Sequence, residues 1–202
     1  HSHGQYLGLF AMEPAKITVV QTWHGSYYKG EIGEERRIVL RAFKDNNFVS
    51  ISNNQRGALP ELNYVATVYN SLDTNEYLFS EKPKQNLLFV GRINDKKGPL
   101  DAIRVAKALN IPLVMVGQVD VVDQEYFEKV IKPEINTSLI TFINKQLTPE
   151  ELNKLYREAF CTLFPIAWQE PFGLVMIESM ACGTPVVGYD MGSVPEVVMD
   201  GK

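Results

Sequence analysis

The sequence predicts an α/β fold with parallel sheets, and three observations lead to this prediction. From residue 86 onward, short apolar segments alternate with amphipathic segments, as they do where strands are joined by crossover helices. The 202 residues are 45% hydrophobic, which is enough for a buried core. The segment around Glu170 and Glu178 is almost without other charges and has the order strand, turn and helix.

The second half of the chain contains most of the predicted elements. Strands are predicted at 86–91, 111–117, 139–143 and 161–165, and helices at 99–110, 123–132, 148–159 and 173–181. Thr148 and Glu151 have the spacing of a capping box, and Pro133 is expected to end the second of these helices. Gly183 suits the C-terminal end of a helix, and after it we expect a strand and a last helix starting near Ser193.

The first half predicts a further α/β domain with fewer elements. Its strands are expected at 17–22 and 47–52, with a helix at 34–44. A polar linker with a proline follows at 81–85, so we expect one domain over 1–80 and another over 86–202. A membrane-surface contact near residues 34–43 has no support, because the acids and bases that alternate there favour an ordinary amphipathic helix.

The composition excludes several kinds of partner. The net charge of -4 comes without a basic stripe, so we expect no nucleic-acid partner. No apolar run approaches the length of about 20 residues that a membrane span needs. Cys161 and Cys182 lie in apolar segments, and we expect reduced thiols and a cytoplasmic location. No grouping of His, Cys, Asp and Glu has metal-ligand spacing, so no metal is expected.

The segment Glu170-Pro-Phe-Gly-Leu-Val-Met-Ile-Glu178 is the most informative part of the sequence. Pro171 suits the first position of a helix, and the residues after it are apolar all round, which predicts a buried helix. A carboxylate at Glu178 would then be costly without a partner. The partner could be another side chain or the hydroxyl groups of a ligand, and the Glu-x7-Glu spacing favours the ligand.

This segment closely resembles the signature of the retaining glycosyltransferases of family 4, also called glycosyl transferases group 1. The resemblance continues through Met180-Ala-Cys-Gly-Thr-Pro-Val-Val187 and Gly192-Ser-Val-Pro-Glu196. It also includes Leu87-Leu-Phe-Val-Gly-Arg92 and Val68-Tyr-Asn-Ser-Leu-Asp73, although Ser71 stands where the family usually has glycine. Together these segments cover essentially the whole chain.

The resemblance implies a GT-B fold, in which two Rossmann-like doubly wound domains face each other across a cleft. The family's pattern extends past both ends of the sequence. We therefore expect the chain to be truncated at both ends and its N-terminal domain to be incomplete.

The resemblance also implies an activity. It is that of a metal-independent hexosyltransferase, which moves a sugar from a nucleoside diphosphate to a hydroxyl acceptor with retention at the anomeric carbon. The donor would be a UDP-, GDP- or ADP-sugar, the acceptor a sugar, a lipid-linked sugar or a small molecule, and no cofactor is required. The alternative is a protein that binds a nucleotide sugar without transferring it.

Two rival enzyme classes are less well supported. A phosphorylase of the same fold needs a lysine for pyridoxal phosphate, and no segment suggests one; a sugar-nucleotide epimerase is a further rival of this fold. A dinucleotide-dependent oxidoreductase is disfavoured, because no Gly-x-Gly-x-x-Gly follows any predicted strand.

Arg92 and Lys97 are the predicted catalytic and donor-binding cations. They follow the strand at 86–91, and ligands of open α/β sheets bind outside the carboxyl ends of strands. Fixed cations there would stabilise the charge that grows on a departing diphosphate. A solvated turn is the alternative, and Lys96 is the second choice of lysine.

The resemblance assigns roles to the residues around the Glu-x7-Glu segment. Glu170 would bind hydroxyls of the transferred sugar, and the amides of Phe172, Gly173 and Leu174 would contact sugar and phosphate. Glu178 would hold the ribose hydroxyls. The structural alternatives are an acid near a helix N-terminus for Glu170 and an internal ion pair for Glu178.

His24 is the last candidate. Family members place a histidine-containing turn after the strand predicted here at 17–22, where it faces the donor sugar. The resemblance therefore implies a catalytic role for His24, as for Glu170: it would hydrogen-bond a sugar hydroxyl and help to position the anomeric carbon. A purely structural histidine is the alternative. His1 and His3 fit the family's His-x-His segment, or they are the remnant of a purification tag.

Overall fold

The computed structural model describes residues 1–4, 7–12, 16–28, 30, 33–81, 83, 85–135 and 138–201. These residues form two compact units. The first consists of residues 1–70, 169–173 and 192–202, and the second of residues 71–168 and 174–191. The linker expected at 81–85 falls within the second unit, and its residues 82 and 84 lie outside the described ones. The domain boundaries expected from the sequence stay a prediction.

The described strands are short. They are β1 (Val20–Thr22), β2 (Asn47–Ser50), β3 (Tyr64–Thr67), β4 (Leu87–Val90), β5 (Leu113–Val116), β6 (Ile140–Ile143), β7 (Cys161–Phe164) and β8 (Val186–Gly188). The helices are α1 (Leu7–Met12), α2 (Glu34–Ala42), α3 (Asn53–Arg56), α4 (Pro99–Leu109), α5 (Gln124–Tyr126), α6 (Pro149–Glu158), α7 (Leu174–Ala181) and α8 (Val194–Val197).

The first unit contains a parallel sheet with the strand order β1-β2-β3. Ser2 forms an isolated parallel bridge with Gln21 of β1. Apolar side chains from the strands and helices close over one buried cluster, which includes Leu9, Trp23, Tyr27, Leu40, Phe48 and Leu59.

The carboxylate of Glu196 in α8 joins distant parts of the first unit. It accepts hydrogen bonds from the backbone N–H groups of Asn53, at 2.8 Å, and of Asn54. The hydroxyl of Tyr69 donates to the same carboxylate at 3.1 Å. Because the two N–H groups belong to the first turn of α3, they would lack intrahelical partners without it.

The second unit contains a five-stranded parallel sheet with the order β6-β5-β4-β7-β8. The chain adds β5 and β6 on one side of β4 and then returns to add β7 and β8 on the other. The strand order therefore reverses between β4 and β7, which in open α/β sheets marks the place where ligands bind. β4 reads Leu-Leu-Phe-Val and is apolar on both sides, because parallel sheets are covered on both faces.

The predicted α/β fold with parallel sheets is confirmed, and the second unit has Rossmann-like strand order. The predicted helix at 123–132 consists of a 3-10 turn at Val121–Asp123, the short α5 and a π-helical turn at Phe127–Ile131. It ends before Pro133, which cannot continue a helix. Both cysteines are free and buried, as expected.

One prediction about α7 was wrong. The helix begins at Leu174 and not near Pro171, because Gly173 has a φ of +83°, which is not helical. It is also not buried all round: Met176 and Ser179 are buried, whereas Leu174 and Met180 are exposed. Within the described residues, no helix is long and apolar enough to cross a membrane.

Replacing Thr148 with alanine should lower the free energy of unfolding by about 1 kcal/mol. The Thr148 hydroxyl accepts the Glu151 N–H at 3.2 Å, and the Glu151 carboxylate accepts the Thr148 N–H at 2.9 Å, so the predicted capping box is present. Urea unfolding measures the change. Thr148→Ser keeps the hydroxyl and serves as the control; an equal loss in both variants would contradict the capping role.

Candidate functional site

The loop after β4 is held in a defined conformation. The Gly91 N–H donates to the Val116 carbonyl at 3.0 Å, which carries the β4 pairing into the loop. The Asn94 side chain accepts the Lys97 N–H at 3.1 Å and caps the 3-10 turn at Asp95–Lys97. Gly98 then adopts a left-handed conformation, with φ of +71°, and α4 starts at Pro99. The two predicted cations, Arg92 and Lys97, are thus carried on an ordered turn.

The Arg92 guanidinium is exposed and weakly held. Its Nη1 atom lies 3.4 Å from the Oδ2 atom of Asp120, in the segment that follows β5. An ion pair this exposed contributes little, because water screens the charges and both side chains lose freedom in forming it. Arg92 can therefore turn toward a stronger anion such as a diphosphate.

The Lys97 side chain is half-buried and lies over an aromatic ring. Its Nζ atom is 4.9 Å from the ring centroid of Trp168, and the Nζ atom of the more exposed Lys96 is 5.8 Å away. The Ala167 N–H donates to the Lys96 carbonyl at 2.7 Å. The loop after β4 is therefore packed against the loop after β7.

Gly98 makes this packing possible. A Cβ atom at this position would lie 1.9 Å from the carbonyl oxygen of Pro165. Its φ of +71° is also strained for any residue with a side chain. The contact with Pro165 and the positive φ both require glycine at position 98. The close approach of the two loops therefore depends on this residue.

In the first unit, Glu170 and Phe172 are held by residues 192 and 193. The Ser193 N–H donates to the Glu170 carbonyl at 3.0 Å, and the Ser193 hydroxyl donates to the Phe172 carbonyl at 2.7 Å. A Cβ atom on Gly192 would lie 2.6 Å from the Glu170 nitrogen. Glu170 is 7% exposed and lies outside α7, which weakens the interpretation as a helix-terminal acid.

The backbone N–H groups of Phe172, Gly173 and Leu174 donate no hydrogen bond to any residue that the structure describes. The left-handed conformation of Gly173, with φ of +83°, interrupts regular structure at this point. Backbone N–H groups without partners, placed just before a helix, suit an anion or a sugar oxygen. These are the three residues whose amides the sequence predicted to bind sugar and phosphate.

Glu178 has a side-chain partner in the second unit. The hydroxyl of Tyr156, which is fully buried in α6, donates to the Oε2 atom of Glu178 at 2.8 Å. Burial raises the pKa of Glu178, and the hydrogen bond from Tyr156 opposes this rise only in part. Burial, and then the charge of Glu178, raise the pKa of Tyr156.

The ion pair considered for Glu178 is thus replaced by a hydrogen bond from a neutral hydroxyl. Its other oxygen, Oε1, accepts no hydrogen bond from the described residues. That oxygen remains able to accept one from a ligand hydroxyl.

His24 is exposed and belongs to a histidine pair. Its Nε2 atom lies 2.8 Å from the Nδ1 atom of His3, and the two rings are stacked with centroids 5.1 Å apart. The Nε2 atom of His1 lies 2.7 Å from the Thr22 hydroxyl. His1, His3 and His24 therefore lie close together in the first unit.

The predicted residues divide between the two units. His24, Glu170, Phe172 and Gly173 belong to the first, and Arg92, Lys97, Leu174 and Glu178 to the second. Sequence reasoning missed the contact of Tyr156 with Glu178 and that of Trp168 with Lys97. A tyrosine on the apolar side of the predicted helix at 148–159 needs a partner for its hydroxyl, which was a usable signal for Tyr156.

Comparisons with known proteins agree with the resemblance seen in the sequence. The family model described as glycosyl transferases group 1 matches residues 73–202. Alpha-maltose-1-phosphate synthase of Mycobacterium tuberculosis is 28% identical over 88% of this chain and 51% of its own length. D-inositol 3-phosphate glycosyltransferase of Mycolicibacterium smegmatis is 30% identical over 83% of this chain and 40% of its own. The chain thus spans about half the length of the curated relatives it matches, or less.

Solved structures share the fold. Anabaena HepE, crystallised in complex with UDP and glucose, has a TM-score of 0.81 and 20% identity, over 96% of this chain and 59% of its own. AviGT4, a glycosyltransferase involved in avilamycin A biosynthesis, has a TM-score of 0.64 and 27% identity, over 75% of this chain and 47% of its own.

Gly98→Ala should destabilise the second unit by about 2 kcal/mol or more, because it combines a left-handed conformation with a clash against a backbone oxygen. Gly30→Ala is the matched control, since Gly30 has a φ of +86° but open space around its Cβ position. It should cost about 1 kcal/mol from backbone strain alone. Thermal unfolding compares the two, and equal losses would show that the Pro165 contact is unimportant.

Replacing Glu178 with glutamine should remove a pH-dependent loss of stability. Because the folded-state pKa of Glu178 is raised, the folded chain binds this proton more tightly than the unfolded chain. Wild-type stability relative to Glu178→Gln should therefore fall as the pH rises from the ordinary value of 4.5 through the raised folded-state pKa. Urea unfolding between acidic and neutral pH measures this difference.

Tyr156→Phe extends the same experiment. It removes the hydrogen bond that lowers the pKa of Glu178, so the folded-state pKa of Glu178 should rise further. The fall in the free energy of unfolding with pH should therefore continue to higher pH in Tyr156→Phe than in wild type. Parallel stability curves for wild type and Glu178→Gln would contradict this account of the buried carboxylate.

Proposed function

The chain belongs to the glycosyl transferases group 1 family, and on this premise we propose that it acts in the transfer of a hexose from a nucleoside diphosphate to a hydroxyl acceptor, with retention at the anomeric carbon. The observation that carries the proposal is the ordered turn after β4 with Arg92 and Lys97. It lies where the strand order reverses between β4 and β7.

Arg92 and Lys97 would act on the leaving group. When the bond between the anomeric carbon and the phosphate oxygen breaks, negative charge grows on the diphosphate. Cations that are already in place stabilise that charge more in the transition state than in the ground state. Arg92 offers two parallel N–H groups, and Lys97 offers a compact charge.

The transfer itself requires no protein nucleophile. The acceptor oxygen forms a bond to the anomeric carbon as the phosphate oxygen leaves. The proton of the acceptor hydroxyl passes to that departing oxygen on the same face of the sugar. The contribution of the chain is then positioning and charge stabilisation.

His24, Glu170 and the segment that follows Glu170 are proposed to recognise the sugar. The buried carboxylate of Glu170 would accept hydrogen bonds from sugar hydroxyls, and His24 would bind a further hydroxyl. The N–H groups of Phe172, Gly173 and Leu174 without partners support an oxygen-binding role for this segment. We also propose that the three-stranded sheet is part of a second Rossmann-like domain.

Glu178 is proposed to bind the ribose. Its Oε2 atom is held by Tyr156 at 2.8 Å, which fixes the carboxyl group and leaves Oε1 for a hydroxyl. A nucleoside has two adjacent ribose hydroxyls, either of which can donate to this oxygen.

UDP is the first nucleotide to test among UDP, GDP and ADP, because HepE was crystallised with UDP and glucose. Among hydroxyl acceptors, a phosphorylated polyol is the first choice, since relatives are named for D-inositol 3-phosphate. Binding of a nucleotide sugar without transfer is the second candidate.

Calorimetric titration with UDP, GDP, ADP and their glucose and mannose conjugates tests the donor site. One nucleotide should bind saturably, and Glu178→Ala should weaken it by about tenfold or more, as expected for a lost hydrogen bond to a charged group. Glu125→Ala, which removes the same charge from an exposed helix position, is the control. If no nucleotide binds to the folded chain, or if both variants weaken binding equally, the donor-site proposal is wrong.

A transfer assay with the nucleotide sugar that binds, with and without a phosphorylated polyol, distinguishes the two candidates. Acceptor-dependent release of the nucleoside diphosphate, together with a product of retained configuration, would establish transfer. Binding without turnover over a range of acceptors would favour the binding-only candidate.

A further inference from the structure

The loops after β4 and β7 are joined by more than one contact. The Ala167 N–H donates to the Lys96 carbonyl at 2.7 Å, and the missing Cβ of Gly98 leaves room for the Pro165 carbonyl. The backbone on both sides of Lys97 and the backbone just before Trp168 are therefore fixed relative to each other. The contact between these two side chains follows from this fixed backbone.

The geometry of that contact is that of a cation–π interaction. Lys97 Nζ lies 4.9 Å from the ring centroid of Trp168, well within the range of about 6 Å, and Trp is the strongest of the aromatic partners. Lys96 Nζ, at 5.8 Å, is close to the limit and more exposed to water. Trp168 therefore acts mainly on Lys97.

We propose that Trp168 is a positioning residue for donor binding, whose ring holds the Lys97 ammonium in place at the carboxyl end of β4. This inference rests on the proposed function, in which Lys97 binds the diphosphate. A lysine has many rotamers, and a ligand that must order it loses affinity. A lysine already held over a ring has lost that freedom before the ligand arrives.

An aromatic ring suits this role better than a carboxylate would. The face of an indole ring attracts a cation but has no formal charge, so the ring itself does not neutralise the ammonium.

Trp168 is proposed to affect donor binding only by positioning Lys97. A double-mutant cycle of these two residues tests this directly. Trp168→Leu keeps apolar bulk but removes the ring, and it should weaken binding of the nucleoside diphosphate by about two- to fivefold. Trp168→Phe keeps a ring and should weaken binding less. In a Lys97→Met background, Trp168→Leu should have almost no further effect, whereas in a Lys96→Met background its effect should persist.

Calorimetric titration with the nucleoside diphosphate that binds wild type best gives the dissociation constant of each variant. Thermal unfolding confirms that each variant is folded. If Trp168→Leu does not fold, Trp168→Phe with and without Lys97→Met completes the cycle. An equal loss in the Lys97→Met background would show a merely structural ring, and no loss at all would show that the ring is irrelevant; either overturns the inference. If wild type binds no nucleoside diphosphate, the proposed function itself fails. If wild type binds one, but Trp168→Leu has the same effect with and without Lys97→Met, only the role of Trp168 is refuted.

Discussion

The close approach of two backbones at Gly98 and Pro165 is the constraint on which the second unit's candidate site depends. Glycine at position 98 turns the chain into α4 and leaves space for the Pro165 carbonyl. The same approach brings Ala167 within hydrogen-bond distance of Lys96 and places Trp168 beside Lys97. A single absent methyl group thereby sets the position of a cation, the aromatic ring under it and the start of a helix.

A second feature of this unit is the compromise at Glu178. Removing a carboxylate from water is costly, and the structure offsets the cost with one hydrogen bond from a buried tyrosine and not with an opposite charge. An arginine or lysine partner would neutralise the carboxylate and take up both oxygens. A neutral hydroxyl leaves the group able to accept a hydrogen bond from a ligand, and burial still raises the pKa of Glu178 despite the bond from Tyr156.

The order of apolar and polar segments was sufficient to locate most elements, because strands and helices leave distinct periods in a sequence. It failed where one residue decides the backbone, as at Gly173, whose positive φ delays α7 to Leu174. It also failed at β3, because Tyr64–Thr67 is only four residues long. The pairing of Lys97 with Trp168 could not be predicted, since it requires knowing that β7 lies beside β4 and not beside β6.

The hydrogen bonds between Glu196 and the start of α3 have a consequence for the synthesis of the chain. Residue 196 leaves the ribosome long after residues 53 and 54, and the whole sequence of the second unit lies between them. Contacts between positions so far apart close late, because the entropy of the intervening loop must first be lost. The first turn of α3 therefore stays without these two acceptor oxygens until Glu196 has been synthesised, although α3 itself belongs to the early part of the chain.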